Sequence, residues 1–320
     1  HQQRFYGLEF DDASEILVTA GATEAIAAAL IGLCGPGDEV VTFEPYYDSY
    51  AASIALGGAQ RRTVTLRREG RAEGGTAGNS DGWTFDPAEL NRAITKRTKA
   101  ILLNTPHNPT GKVFTVDELD VVAEAARTND LTVIADEVYE HLTFDGRAHV
   151  PIATRPGMRE RTVTISSAGK TFSVTGWKIG WLCAPPQLLD AARTVKQFLT
   201  YVNGAPFQPA VAAALGRIPE ALRSNLQHQR DVLCDGLADL GFDVVRPEAT
   251  YFATVDVGID AVGFCRDLPH RAGVVAIPSS VFYDSAVGDR YVRFAFCKRP
   301  AVLSAALERL RLERLRGANQ

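Results

Sequence analysis

Lys170 lies in the run SSAGKTFSVTGWKIGW (Ser166 to Trp181), with small residues before it and apolar ones after. A lysine in such a setting can act as an amine nucleophile toward a carbonyl, the start of Schiff-base chemistry, because Ser, Ala and Gly let a planar ligand approach the backbone closely. A second cation, Lys178, follows between Trp177 and Ile179. A lysine alone says little, since most are solvated surface charges. Three upstream segments give it company. NTPHNPTG (Asn104 to Gly111) closes the apolar run KAILLN with residues suited to a ligand-facing loop. LTVIADEVYEHL (Leu131 to Leu142) reads as a buried parallel strand that delivers Asp136 at its carboxyl end, with Tyr139 one turn on. EILVTAGATEAIAAAL (Glu15 to Leu30) reads as strand, glycine turn and Ala-rich helix, the outline of an anion cradle at Gly21, Ala22 and Thr23. Each has a plain structural reading as well: Asn108 a turn former, Asp136 a helix cap, Gly21-Ala22-Thr23 an ordinary connection.

Arg293 stands in YVRFAF, whose alternation puts Tyr291, Arg293 and Ala295 on one face and Val292, Phe294 and Phe296 on the other. A guanidinium on so apolar a strand is either at the sheet surface or needs an anionic partner, because an unpaired buried charge is too costly. That partner is either a protein carboxylate or a ligand's.

The elements that must position these residues alternate. Strand-like runs at Ile16 to Thr19, Glu39 to Phe43, Arg61 to Leu66, Lys99 to Leu103, Leu131 to Ala135 and Thr162 to Ser166 are interleaved with helical ones from Thr23 and around Ser49 to Leu56. This order predicts an α/β fold with a mainly parallel sheet and helices on both faces. After Pro206 the pattern changes to long helices with strands at Phe242 to Val245, Thr250 to Val255 and Tyr291 to Phe296, as in a second, smaller domain. The Gly-rich polar stretch from Arg67 to Gly82 reads as a surface excursion. At 34.6 kDa the chain is large enough for an extensive core. A net charge of -4 argues against nucleic-acid or anionic-membrane partners. Five scattered cysteines without a CxxC pair fit a reducing cytoplasm and give no sign of a metal site. No run reaches the ~18 apolar residues of a membrane span.

Together and in this order, the motifs resemble the class I/II aminotransferases, pyridoxal-phosphate enzymes of fold type I, from about Leu8 to the C-terminal helix. The resemblance implies a three-layer α/β/α large domain over residues 1–205 and a smaller α+β C-terminal domain over 206–320. It also implies pyridoxal 5'-phosphate as cofactor, an amino acid and a 2-oxo acid as substrates, and a cytoplasmic homodimer with active sites at the interface. Lys170 matches the lysine that carries the cofactor and moves the substrate's proton, and Asp136 matches the carboxylate that pairs with the pyridinium nitrogen. Tyr139 and Asn108 match the residues that hydrogen-bond the cofactor's phenolic oxygen, and Asn108 also faces the substrate. Tyr47, in EPYYDSY, matches the aromatic that stacks on the ring. Gly21, Ala22, Thr23, Ser167 and Lys178 match phosphate-binding positions, with Lys178 standing where many members have arginine, as in the kynurenine-aminotransferase-like branch. Arg293 matches the arginine that clamps the substrate carboxylate.

GWKIGW, PHNPTG, DEVYEHL and GAPFQPA (Gly204 to Ala210) look most like the branch of kynurenine, methionine and glutamine aminotransferases. Within it they most resemble the actinobacterial N-succinyldiaminopimelate aminotransferases of lysine biosynthesis. Two other functions share these motifs: a carbon-sulfur beta-lyase on the same fold, and a non-catalytic sensor domain of the kind fused to a winged helix. Against the sensor stand the acidic balance and the lack of a basic helix-turn-helix segment. Met158 is the only methionine, and relatives carry several dozen residues ahead of this point, including a helix, a glycine loop touching the substrate and a tyrosine reaching the partner's phosphate. The chain therefore reads as incomplete at its N-terminus, with the active-site lid missing.

Overall fold

Apolar runs without alternation must be covered on both faces, and four of them make the middle of the larger sheet. The structure, a computed structural model, describes residues 1–68, 82–258 and 260–318. Its strands are β1 (Ile16–Thr19), β2 (Glu39–Glu44), β3 (Gln60–Thr65), β4 (Arg67–Arg68), β5 (Trp83–Thr84), β6 (Thr98–Asn104), β7 (Thr132–Asp136), β8 (Thr162–Ser167), β9 (Gly180–Cys183), β10 (Asp243–Val245), β11 (Phe252–Asp256), β12 (Ile277–Pro278) and β13 (Tyr291–Ala295). The helices are α1 (Gln2–Tyr6), α2 (Gly21–Leu33), α3 (Asp48–Leu56), α4 (Pro87–Ala93), α5 (Val116–Thr128), α6 (Ala168–Thr171), α7 (Pro186–Leu199), α8 (Gln208–Ala214), α9 (Glu220–Asp239), α10 (Ala261–Ala272) and α11 (Pro300–Ala318).

The larger sheet runs β1-β9-β8-β7-β6-β2-β3. Its pairs from β8 through β7, β6 and β2 to β3 are parallel, and only β9 runs against its neighbours. Alternate side chains of the central strands feed two cores. Val41, Phe43, Ile101, Leu103, Val133 and Ala135 pack with Leu90 of α4 and Leu119 and Val122 of α5. Val40, Leu102, Ile134, Val163 and Ile165 face Ile26 and Leu30 of α2, Ile54 of α3 and Leu189 of α7. This is the three-layer α/β/α arrangement expected of fold type I. α5 starts at a reciprocal cap in which Thr115 Oγ1 accepts from the Glu118 amide while the Glu118 carboxylate accepts from the Thr115 amide. The second sheet, β10-β11-β13-β12, is antiparallel and packs Val255, Val292 and Phe294 against α9, α10 and α11. Tyr139 and Phe144, from the segment after β7, enter that same core.

Two local differences from the sequence reading matter. β8 continues through Ser167 and passes at once into α6, so Lys170 rides on a single helical turn instead of an open turn of small residues. β9 was not anticipated, because only four residues separate the Lys178-Ile179 step from the Ala184-Pro185 boundary, too few for a pattern. Of the polar stretch from Arg67 to Gly82, residues 69–81 lie outside the described residues, and Arg67 and Arg68 pair with Trp83 and Thr84.

β9 touches the start of α2 through a glycine. A Cβ on Gly180 would lie 2.5 Å from the carbonyl carbon of Gly21 and 2.8 Å from the Ala22 amide nitrogen, backbone atoms that cannot swing aside. Gly180→Ala is expected to cost about 1–3 kcal/mol, as overpacking does, and to lower the thermal unfolding midpoint by several degrees. Gly176→Ala is the control, since a Cβ there meets nothing within 4 Å. Equal midpoints for the two variants would refute the close-approach argument.

Candidate active site

The parallel strands end side by side, and their carboxyl ends carry polar residues that the apolar strands themselves cannot hold. Asn104 closes β6 and pairs in register with Asp136 at the end of β7, and Ser167 closes β8 next to them. α2 begins opposite these ends. Gly21, at φ 79, opens that helix in a conformation that suits glycine. Among the described residues, Gly21, Ala22, Thr23, Tyr47, Asn108, Asp136, Tyr139, Ser167, Lys170, Lys178 and Arg293 all line one cavity of about 320 Å³. Every residue singled out in the sequence thus meets the others in space, although Gly21 and Arg293 lie at opposite ends of the chain.

Asp136 is buried at 4% exposure. Burial raises its carboxyl pKa above the ordinary carboxylate value, opposed by a hydrogen bond from Tyr50, the Val138 amide and the charge of Lys170. The Tyr50 hydroxyl donates to Oδ2 at 2.6 Å and the Val138 amide to Oδ1 at 3.3 Å. Tyr50 was not picked out in the sequence. The available signal was its place one turn after Tyr47 on the same helix face, and the two rings meet edge to face at 5.6 Å.

Lys170 Nζ donates to the Tyr251 hydroxyl at 2.6 Å and lies 5.6 Å from the ring centre of Tyr139. Tyr251 was also missed, because its strand-edge position in ATYF carries no motif. Burial and then the neighbouring Tyr251 push the Tyr139 phenol well above its usual pKa, which leaves it a protonated donor. Lys178 sits at φ 54, in the left-handed region, which turns the chain sharply before β9.

Arg293 comes from β13 and lies between the rings of Phe252 and Phe282, with its guanidinium carbon 4.0 Å and 4.6 Å from their centres. Its Nη1 donates to Asn108 Oδ1 at 3.1 Å. Among the described residues it has no carboxylate within 4 Å, so they supply it no salt bridge. The cavity's ionisable lining is then three cations, Lys170, Lys178 and Arg293, and one acid, Asp136, besides its tyrosines. Such a set favours a ligand that carries more negative than positive charge.

The sequence profile described as aminotransferase class I and II matches residues 1–310. The probable N-succinyldiaminopimelate aminotransferase of Mycobacterium tuberculosis is 48% identical over 97% of this chain and 79% of its own length. Its three-dimensional structure superposes with a TM-score of 0.91, covering 98% of this chain and 81% of that one. The methionine aminotransferase of Escherichia coli is 38% identical over 97% of this chain and 79% of its own. The kynurenine–oxoglutarate transaminase of Dictyostelium discoideum is 37% identical over 96% and 78%. With the profile covering nearly the whole sequence and Lys170, Asp136 and Arg293 lining one cavity, the chain belongs to the class I and II aminotransferases, enzymes that use pyridoxal phosphate to transfer amino groups.

Proposed function

We propose that this enzyme takes its amino group from N-succinyldiaminopimelate and passes it to a 2-oxo acid such as 2-oxoglutarate. The observation that carries this donor is the 48% identity to the M. tuberculosis protein, against 38% to the methionine aminotransferase, over equal shares of the chain.

The cavity suits pyridoxal phosphate on its donor set. α2 starts there without a side-chain cap, so the first amides, at Ala22 and Thr23, are available to a phosphate, with Ser167 and Lys178 beside them. Asp136 is a buried acid whose hydrogen bonds come from neutral donors, and a protonated ring nitrogen is the cation it lacks. When bound, pyridoxal phosphate supplies an electron sink for the pair left at the substrate's α-carbon. Asp136 holds the proton on the ring nitrogen, and Tyr50 fixes the carboxylate that does so. Lys170 Nζ carries the cofactor and then takes the proton that leaves the α-carbon, oriented by the Tyr251 hydroxyl. Asn108 gives its Oδ1 to Arg293, which leaves its NH2, with the Tyr139 hydroxyl, to donate to the cofactor's phenolic oxygen. Tyr47 closes one wall as a stacking ring. Arg293 receives the substrate's α-carboxylate in a fork of two hydrogen bonds.

The enzyme also works, in this reading, as a cytoplasmic homodimer. Its support is the exposed apolar run Phe198, Leu199, Tyr201 and Val202 at the end of α7, together with five free cysteines. No described helix is long and apolar enough to cross a membrane. Sedimentation velocity at micromolar concentration should give twice the chain mass, and a monomer would overturn the dimer.

The donor is tested by mixing cofactor-loaded protein with N-succinyl-LL-diaminopimelate, kynurenine, methionine and glutamine and following the bound cofactor's absorbance. N-succinyldiaminopimelate should react at least tenfold faster in kcat/KM than the others. A faster reaction with kynurenine or methionine would replace it, and pyruvate with ammonia from a sulfur amino acid would mark a beta-lyase. Lys170→Ala should abolish the reaction with every donor, and Arg293→Gln should lower kcat/KM by about a hundredfold for each, near 3 kcal/mol.

Asp136 allows a test without substrate. A carboxyl whose pKa is raised in the folded state destabilises that state once ionised: stability falls as pH rises from the ordinary carboxylate value through the raised one, and the loss is complete above it. Asp136→Asn should therefore raise the unfolding midpoint of cofactor-free protein at pH 7–8, have no such effect in acid, and lower the gain in midpoint on adding pyridoxal phosphate. A lower midpoint for cofactor-free Asp136→Asn at neutral pH would show that the carboxylate is already compensated by the protein.

A further inference from the structure

Beside Ser166 at the end of β8, α1 meets the segment after β7. Glu140 there is a second buried acid, with a side chain 0% exposed. Its Oε2 accepts from the Tyr6 hydroxyl at 2.6 Å, and its Oε1 accepts from Ser166. No lysine or arginine lies within 4 Å of it among the described residues. What faces it instead is a pair of imidazoles: His1 Nε2 at 3.8 Å and His141 Nε2 at 3.9 Å, the two nitrogens 2.7 Å apart. Glu140 thus has imidazoles, and no lysine or arginine, within 4 Å among the described residues, and buried charges are normally paired or coordinate a metal.

We propose that His1, Glu140 and His141 form a binding site for a divalent transition-metal ion of the zinc type. Two imidazoles and a carboxylate are a standard donor set for such an ion. With metal-to-nitrogen bonds of about 2.0–2.1 Å, tetrahedral ligand atoms stand roughly 3.4 Å apart. The present triangle, with sides of 2.7, 3.8 and 3.9 Å, brackets that value, so shifts of a few tenths of an ångström complete it. The proton now shared between the two Nε2 atoms moves to Nδ1 of the donating ring, leaving both Nε2 lone pairs for the ion with no proton lost. Ser166 and Tyr6 already orient the carboxylate, as outer partners of metal ligands do. His1 also lines a cavity of about 600 Å³, which gives water the fourth position and the ion an entry path. The ion would staple α1 to the segment after β7, whose Glu140 accepts from Ser166, the residue next to Ser167 in the active-site lining.

The test uses the full chain with ZnCl2, and with CoCl2 as a spectroscopic probe, in cofactor-loaded protein. One equivalent of zinc should bind, cobalt should give visible d–d absorption, and His1→Ala and His141→Ala should each weaken zinc binding at least tenfold while the bound cofactor's spectrum stays unchanged. Because His1 can also chelate through a free α-amine, a form extended at its N-terminus is measured in parallel and should bind zinc as well. Zinc affinity unchanged in His141→Ala, or lost in the extended form, would assign any binding to the chain terminus and overturn the site. Should a variant fail to fold, X-ray absorption of zinc-loaded wild-type protein decides: two imidazoles and a carboxylate are expected, and fewer than two imidazoles refutes the proposal.

Discussion

A carboxylate kept from water with no ion pair among the described residues, relieved only by the charge of Lys170 acting at longer range, is the constraint on which the active-site half of the molecule depends. Taking the Asp136 side chain out of solvent costs several kcal/mol if it stays ionised, and the tertiary structure returns only neutral donors, the Tyr50 hydroxyl and the Val138 amide. Holding such a group demands a rigid surround. β7 supplies it, buried between β6 and β8, with Asn104 Nδ2 donating to the Asp136 carbonyl at 2.9 Å so that the backbone beneath the acid is fixed. Tyr50 in turn is fixed by α3, whose fully buried Ile54 anchors it to the sheet. The unfavourable charge is therefore stored where a ligand cation can relieve it, and the same arrangement makes the acid selective for a positively charged partner.

Most of this could be read from the chain because parallel sheets put function at strand ends. Apolar runs such as LTVIA announce a strand buried on both faces, and the first polar residue after them must then lie at the carboxyl edge, where ligands bind in open α/β sheets. Asp136 follows from that rule, as does the loop that carries Asn108, whereas Ser167 came from the family resemblance, and the glycine turn before α2 from the geometry of helix starts. Tyr50 and Tyr251 were not legible, since each acts on a partner distant in sequence, 86 residues from Asp136 in one case and 81 from Lys170 in the other. β9 was hidden by its brevity, yet its Gly180 sets how closely the sheet approaches the start of α2. The His1–Glu140–His141 cluster was hidden for the same reason as the tyrosines: its members lie 140 residues apart, and a cysteine-based search for metal motifs passes them by.

Asp136 and Glu140, both buried, sit on one segment and solve the same problem differently. Between them Glu137 is also buried and looks to His149, 3.1 Å away. Three carboxylates in five residues would repel one another if they shared an environment. The chain separates them: Asp136 faces the cavity, Glu137 faces His149, and Glu140 faces α1 and Ser166. Each is thus left with a neutral or weakly basic neighbour, and none is neutralised by arginine or lysine among the described residues.

Arg293 is the complementary case, a half-buried cation with no carboxylate within 4 Å among the described residues. Two aromatic faces hold the guanidinium plane, and cation–π contacts of this kind contribute about 0.5–2 kcal/mol each, enough to offset part of the desolvation without using the hydrogen-bonding edge. Asn108 takes one Nη1 hydrogen bond, which sets the rotation of the plane. What remains is a fork held in place before any substrate arrives, so a carboxylate that docks there loses little to ordering of the side chain. A lysine could not replace it, because an ammonium has no plane for Phe252 and Phe282 to grip and no fixed fork to offer. Under the proposed function, the aromatic clamp, more than the charge alone, is therefore what would fit this position for orienting a substrate's α-carbon over Lys170.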